Sequence, residues 1–255
     1  MISETKLRKL FLNDETELIV KRETVSTNTD AKYIAKNGLS SPLLIVADSQ
    51  SGGRGRQGKS FASPPGGLYM TLALPSGLEI SKIVSVTSAA SVIVCRSIEK
   101  LCSADCGIKW VNDIFISGKK LCGILVESIN DYTSMTSNAV IIGIGINLTS
   151  HPHSVPSTSL FEEGFSLSPE ILCHSITKEL ISYANKGFSF DEFFDEYKKR
   201  SVVLGREISY IKNGVCTDAV AESIDKQGGL IVRSGEKTET LSSGEITLKI
   251  KPAIG

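Results

Sequence analysis

The chain has 255 residues, with 28 lysines and arginines against 28 aspartates and glutamates, 41% hydrophobic residues and 22% charged residues. A chain of this size and composition folds around one large core or a core plus a small satellite, which excludes disorder, collagen and coiled coil as its main state. Balanced charge argues against a broad grip on nucleic acid, because such a grip needs a surplus of cations to neutralise several phosphates.

Met1 to Leu10 is too polar for a secretory signal, and no apolar run approaches the roughly 20 residues of a membrane helix. A cytoplasmic protein with no membrane partner is expected. Ser26-Thr27-Asn28 reads either as the cap of a helix over Thr29 to Asn37 or as a set of hydroxyl and amide groups for a small polar ligand. Leu43 to Ala47 is a continuous apolar run, hence a buried strand, and it empties into a glycine-rich loop from Ser51 to Gly67 before strand resumes at Leu68 to Leu74. Ile80, Val84, Thr87, Val94, Ile98 and Leu101 recur at helical spacing, which predicts an amphipathic helix over Ser81 to Leu101. Three short strands follow, Gly107 to Val111, Ile114 to Ile116 and Leu121 to Glu127, with Ser117-Gly118-Lys119 turning between the last two.

Ala139 to Leu148 is a further strand, and Thr149 to Leu167 is a loop long enough to carry a functional or mobile role. Helices are expected over Pro169 to Asn185 and Phe190 to Ser201, capped by Ser168 and Ser189. Beyond Gly205 the pattern changes to short alternating strands, Glu207 to Ile211, Val215 to Ile224, Leu230 to Arg233 and Glu245 to Ile250. They are broken by Asn213-Gly214, Gly228-Gly229 and Ser243-Gly244, which is the pattern of a small β-barrel. The expected organisation is a domain over residues 1–202 and a barrel over 203–255.

Cys95, Cys102, Cys106, Cys122, Cys173 and Cys216 show neither paired spacing nor the density of a disulfide scaffold, and read as reduced thiols. Cys102 and Cys106 lack nearby ligands to complete a metal site, and His151, His153 and His174 are too scattered for a zinc enzyme or a histidine triad.

The chemistry concentrates in four places. Gly53-Arg54-Gly55-Arg56-Gln57-Gly58 combines converging backbone N–H groups with two permanently charged forks, so an anion is its natural guest; an Arg/Gly linker touching RNA is the alternative. In Lys109-Trp110-Val111-Asn112-Asp113, strand alternation puts Lys109 and Asp113 on one face, either as a surface ion pair or as a phosphate contact beside a carboxylate for magnesium. Alternation groups Lys120 with Cys122, Ile124 and Val126, so its ammonium must reach water or meet an anion. Ile142, Ile144, Ile146 and Leu148 share one face of their strand, while Ile141, Gly143, Gly145 and Asn147 share the other. Two glycines on one face leave room for a ligand or for a closely crossing helix.

These segments, with Gln50, Lys119-Lys120 leading into Gly123-Ile124-Leu125-Val126-Glu127, Gly205-Arg206-Glu207 and Ser243-Gly244-Glu245, resemble the biotin protein ligase family in order along nearly the whole chain. Four positions depart from the family pattern: Val25 for Asp, Val111 for Pro, Lys59 for Arg and Phe61 for Trp. Lys59 keeps charge but loses the bidentate fork. The resemblance implies an α+β fold, with a mixed-sheet catalytic domain like that of class II aminoacyl-tRNA synthetases and an SH3-like C-terminal barrel.

It further implies an ATP-dependent ligase that forms biotinyl-5'-AMP, releasing pyrophosphate, and passes biotin to a lysine of the biotin carboxyl carrier protein of acetyl-CoA carboxylase. By that resemblance, Arg54, Arg56, Lys109 and Lys120 are catalytic, and Ser26, Thr27, Asn28, Gln50, Arg54, Gly55, Arg56 and Lys120 bind biotin. Arg56, Lys109, Asn112, Asp113 and Asn147 meet ATP, with Asp113 holding Mg²⁺, and the glycine-rich loop closes over the adenylate to exclude water. About 25 residues precede Ser26, fewer than a helix-turn-helix domain needs, so a monofunctional ligase without a DNA partner is expected. A homodimer is left open. The competing readings are a lipoate or octanoate transferase, whose plain acyl substrate wants apolar walls, and an RNA-binding module.

Overall fold

The computed structural model describes residues 1–152, 156–212, 214–242, 244 and 246–248. His153, Asn213, Ser243, Glu245 and the end of the expected last strand lie outside the described residues.

Elements run in the order α1 (Glu4–Leu10), β1 (Glu17–Thr24), α2 (Thr27–Ala35), β2 (Leu43–Gln50), β3 (Gly67–Glu79), α3 (Ile83–Leu101), β4 (Gly107–Lys109), β5 (Asp113–Ile116), β6 (Lys119–Asp131) and β7 (Thr136–Asn147). Helices α4 (Pro169–Asn185) and α5 (Asp191–Arg200) follow, then β8 (Glu207–Lys212), β9 (Val215–Ile224), β10 (Leu230–Ser234), β11 (Lys237–Leu241) and β12 (Ile246–Leu248). The first seven strands form one mixed sheet in the order β1-β2-β3-β7-β6-β5-β4, with β1 parallel to β2 and the other pairs antiparallel. The last five form an antiparallel sheet ordered β11-β10-β9-β8-β12, a barrel-like unit.

Register explains how the mixed sheet serves two purposes. On one face Leu44, Val46, Met70, Leu72, Ile142 and Ile144 join the main core beneath α3 and α4. On the other, three cross-strand rows are set by the pairing: Ala47-Tyr69-Gly145-Gly123, Ile45-Thr71-Gly143-Leu125 and Leu43-Ala73-Ile141-Glu127. Helix α2 packs Ala31 and Ala35 on the Leu43, Ile45, Ala73 and Ile141 end of those rows. At the other end Asn28, in the first turn of α2, comes against Gly143, while Gly145 and Gly123 are met by Phe61 of the glycine-rich loop.

Several elements differ from the sequence expectation. The polar N-terminus forms α1 and β1, held by Ser3, which caps α1 while its backbone N–H donates to buried Glu170 at 2.8 Å. Strand β11 is likewise unexpected, because its sequence is mostly polar. Ser189 does not cap α5: Phe190 stands at that position without a side-chain bond, whereas Ser168 does cap α4. The expected strand Gly107 to Val111 stops at Lys109, because the chain turns back so that Lys109 and Asp113 become cross-strand partners.

The segment Ile80–Leu101 is, contrary to the sequence reading, long and apolar enough to cross a membrane by length and composition, yet 67% of its apolar window is buried within the protein. The long loop after β7 is pinned in its described part, where Lys120 N–H donates to Pro156, Thr158 N–H to Lys120 and Leu160 N–H to Asn147.

Candidate active site

A cleft opens over the glycine rows. Its lining includes Ser26, Thr27, Asn28, Gln50, Arg54, Gly55, Arg56, Lys109, Asn112, Asp113 and Lys120, drawn from the N-terminus of α2, the glycine-rich loop, the β4–β5 turn and β6. Gly244 and Ile246 bring the second sheet to its edge. Asn147 is not part of this lining but of the adjoining cavity between the two sheets, which also includes Lys59, Lys109, Asp113 and Lys120. Its Nδ2 donates to the Thr158 carbonyl at 2.9 Å, while its buried Oδ1 has no partner.

The polar wall is organised before any ligand arrives. Gln50 Oε1 accepts from the Thr27 N–H at 2.9 Å and lies 3.1 Å from its hydroxyl, while Gln50 Nε2 donates to Ser63 at 2.8 Å. Ser26 accepts from the Thr29 N–H at 3.4 Å, so it caps α2 and lines the cleft at once. Thr71, fully buried in β3, puts its hydroxyl 2.7 Å from both Thr27 Oγ1 and Asn28 Oδ1. A side chain at Gly143 would begin 1.9 Å from Asn28 Oδ1, which is why that strand position is glycine.

The loop that carries the cations is hairpin-like. Gly55 N–H donates to Lys59 at 2.7 Å, Phe61 N–H to Gly53 at 2.8 Å, and Arg54 pairs with Ser60 in a backbone bridge. Tyr69 donates to the Pro64 carbonyl at 2.7 Å and ties down the loop's end. Arg56 donates to Asn112 Oδ1 at 3.3 Å, and Asn112 in turn donates to the Ile124 carbonyl at 2.8 Å, so the β4–β5 turn orients the second arginine.

Lys120 is where alternation misleads. A bulge between Ile114 and Phe115 shifts the β5–β6 register, and the Lys120 Cε lies 3.5 Å from where a Gly123 side chain would begin. It therefore faces the cleft with Gly123, not the core with Cys122 and Ile124. Its ammonium sits 2.8 Å from Asp113 Oδ1 and over the Phe61 ring at 5.7 Å. The charge meets an anion, one of the two outcomes its position allowed. Lys109 lies over the Phe115 ring at 5.9 Å.

Two participants escaped the sequence reading. Thr71 is the one aliphatic hydroxyl in the apolar run Leu68 to Leu74, a signal that was available. Glu127 accepts from Asn28 Nδ2 at 3.1 Å and from Lys32 at 3.0 Å, and lies 3.6 Å from Arg54 Nη2. Burial alone would raise its pKa, but hydrogen bonds from Asn28 and Lys32 and the attraction of Lys32 and Arg54 outweigh that, and its carboxyl is held below the usual value. His151 stands between Ser157 and Glu162, at 3.0 and 2.8 Å, yet Ser157 donates to the Pro152 carbonyl at 2.6 Å, so the imidazole is not placed as a base for that hydroxyl.

Comparison with known proteins places this architecture. The profile of the biotin/lipoate A/B protein ligase family matches residues 20–147, half of the chain. A Bacillus subtilis protein named bifunctional ligase/repressor BirA is 39% identical over 132 residues, 51% of this chain, and the chain spans only 40% of that relative's length. A Mycobacterium tuberculosis biotin–[acetyl-CoA-carboxylase] ligase is 27% identical over 247 residues, covering 90% of this chain and 88% of the relative. Among solved structures, biotin protein ligase from Aquifex aeolicus in complex with biotin and ATP superimposes with a TM-score of 0.72 at 24% identity, covering 92% of this chain and 99% of that one. At that identity the likeness establishes the fold.

Proposed function

Since the chain belongs to the biotin/lipoate A/B protein ligase family, we propose that it is an ATP-dependent biotin ligase acting in the cytoplasm on a biotin carboxyl carrier protein. In the first step a carboxylate oxygen of biotin attacks the α-phosphorus of ATP, the bond to pyrophosphate breaks, and biotinyl-5'-AMP forms. A carrier lysine, as free amine, then attacks the acyl carbon; AMP leaves and the nitrogen loses a proton.

Both substrates of the first step are anions, so alignment and fixed positive charge are the main requirements. The observation that carries the reading is the convergence of Arg54, Arg56, Lys109 and Lys120, from three separate segments, on one cleft whose other wall is the hydrogen-bonded set Ser26, Thr27, Asn28 and Gln50. That polar wall favours a ureido ring over the plain acyl chain of lipoate or octanoate, which would leave its donors and acceptors unpaired. Arg54 is 47% exposed and its contact with Glu127 is longer than a charge-assisted bond of about 2.7–2.9 Å, so it is readily given up to a substrate carboxylate.

Asp113, Asn147, Lys59 and Lys109 line the adjoining cavity and suit the nucleotide. No group of three or more His, Cys, Asp or Glu among the described residues is arranged to hold a metal. One carboxylate, Asp113, together with phosphate oxygens of the nucleotide is nonetheless a donor set that Mg²⁺ accepts. There Mg²⁺ would neutralise phosphate charge. We place the boundary of the catalytic domain near residue 203, with the C-terminal sheet closing the cleft through Gly244 and Ile246.

Labelled biotin, ATP, Mg²⁺ and an isolated carrier domain, with lipoate as competitor, test this directly. Carrier labelling that lipoate does not suppress is expected; equal labelling by lipoate would favour the acyl-transferase reading.

A further inference from the structure

We propose that Glu127 is a positioning residue for the biotin step, holding the Asn28 side chain in its ligand-facing orientation. The inference rests on the ligase reading above and adds to it a residue outside the cleft lining.

The Asn28 amide is held at both ends. Its Oδ1 is met by the Thr71 hydroxyl at 2.7 Å, and its Nδ2 donates to Glu127 Oε2 at 3.1 Å, with the Leu125 carbonyl 3.4 Å away. An amide oxygen only accepts and an amide nitrogen only donates, so a hydroxyl on one side and a carboxylate on the other admit a single flip state. Gly143 leaves that amide room at the sheet. The carboxylate itself is fixed by Lys32 at 3.0 Å, from the same helix as Asn28. Glu127 reaches this place because it shares a sheet face with Gly123 and Leu125, in the row beside Thr71 and Gly143. With both amide protons committed, what Asn28 offers a ligand is the remaining lone pair of Oδ1, aimed by Glu127 and Thr71.

The test separates position from charge. Glu127→Gln keeps the length and an acceptor for Asn28 but removes the charge, whereas Glu127→Asp keeps the charge and withdraws the acceptor by one methylene. Biotin-dependent exchange of labelled pyrophosphate into ATP gives KM for each substrate. Glu127→Asp is expected to raise KM for biotin about tenfold with KM for ATP and kcat within about twofold, while Glu127→Gln stays within about threefold of wild type. Glu127→Ala should match Asp, and adding it to Asn28→Ala should cost less than about twofold more.

Thr71→Val, which removes the other contact, should show the same split and decides the matter if a Glu127 variant does not fold. The role is overturned if Glu127→Asp outperforms Glu127→Gln, if KM for both substrates rises together, or if KM for biotin does not move. Absence of exchange in the wild-type protein is a different result and counts against the ligase reading itself.

Discussion

The ring of Phe61 lies directly on Gly145: a Cβ at that glycine would come within 2.4 Å of the ring's Cε1, and one at Gly123 within 2.8 Å of Cε2. The loop's aromatic residue thus seats on the strand floor of the cleft only because two facing strands are bare there. Gly145→Ala is expected to lift the ring and destabilise the fold by about 1–3 kcal/mol, the usual range for overpacking. Adding Phe61→Ala should recover part of that loss. Urea denaturation of the two single variants and the double variant measures the coupling; strictly additive effects would mean that the ring and the strand are independent.

Lys120 is held between Asp113 at 2.8 Å and the Phe61 ring. On the ligase reading, its loss removes a positive charge from the cleft where the two anionic substrates would meet. Lys120→Ala should therefore lower kcat for adenylate formation by about 10²–10³-fold, the range seen when one preorganised group is deleted. The pair is only 28% and 22% exposed, so removing the ammonium leaves the Asp113 carboxylate without its cation and should also lower the melting temperature; the rate is therefore compared at a temperature where both proteins are folded. A rate within threefold of wild type in a stopped assay of adenylate formation would remove Lys120 from the mechanism.

Arg56 joins the loop to Asn112 at the β4–β5 turn. Cutting that tie frees the loop over the reactive intermediate, so Arg56→Ala is expected to release biotinyl-5'-AMP and label lysines of bystander proteins. Streptavidin blots of reactions containing albumin read this out. Modification confined to the carrier domain would show that Arg56 does not retain the intermediate.

Much of this site was legible in the sequence because its parts are local. Arginines spaced by glycines, Lys109 four residues from Asp113, and the glycine face ending in Asn147 can all be read along one segment, and all but Asn147 meet in one cleft. What escaped depends on register between distant segments. The side that Lys120 faces is set by a one-residue bulge against β5, which period-two counting cannot see. Thr71 and Glu127 gain their roles only when β3, β7 and β6 align row by row. The N-terminal helix and first strand are too polar to announce themselves, and are fixed by partners far along the chain such as Glu170.

Glu127 also gives the site a pH signature. Its folded-state pKa lies below its unfolded value, so the stability it contributes is fully present above the ordinary glutamate range, about 4.3, and is lost as pH falls through the lower folded value. Glutamine does not titrate. The stability gap between wild type and Glu127→Gln should be widest near neutrality and narrow steadily below about pH 4. Urea midpoints across that interval check it; a gap that widens on acidification would reverse the assignment.

The most direct measurement is biotin-dependent exchange of labelled pyrophosphate into ATP by the purified protein in the presence of Mg²⁺, with no carrier present. Exchange that requires biotin, and that lipoate cannot replace, is the predicted outcome, because the cations gathered in the cleft would make the adenylate reversibly before any lysine is needed. No exchange, or exchange indifferent to biotin, would contradict the account.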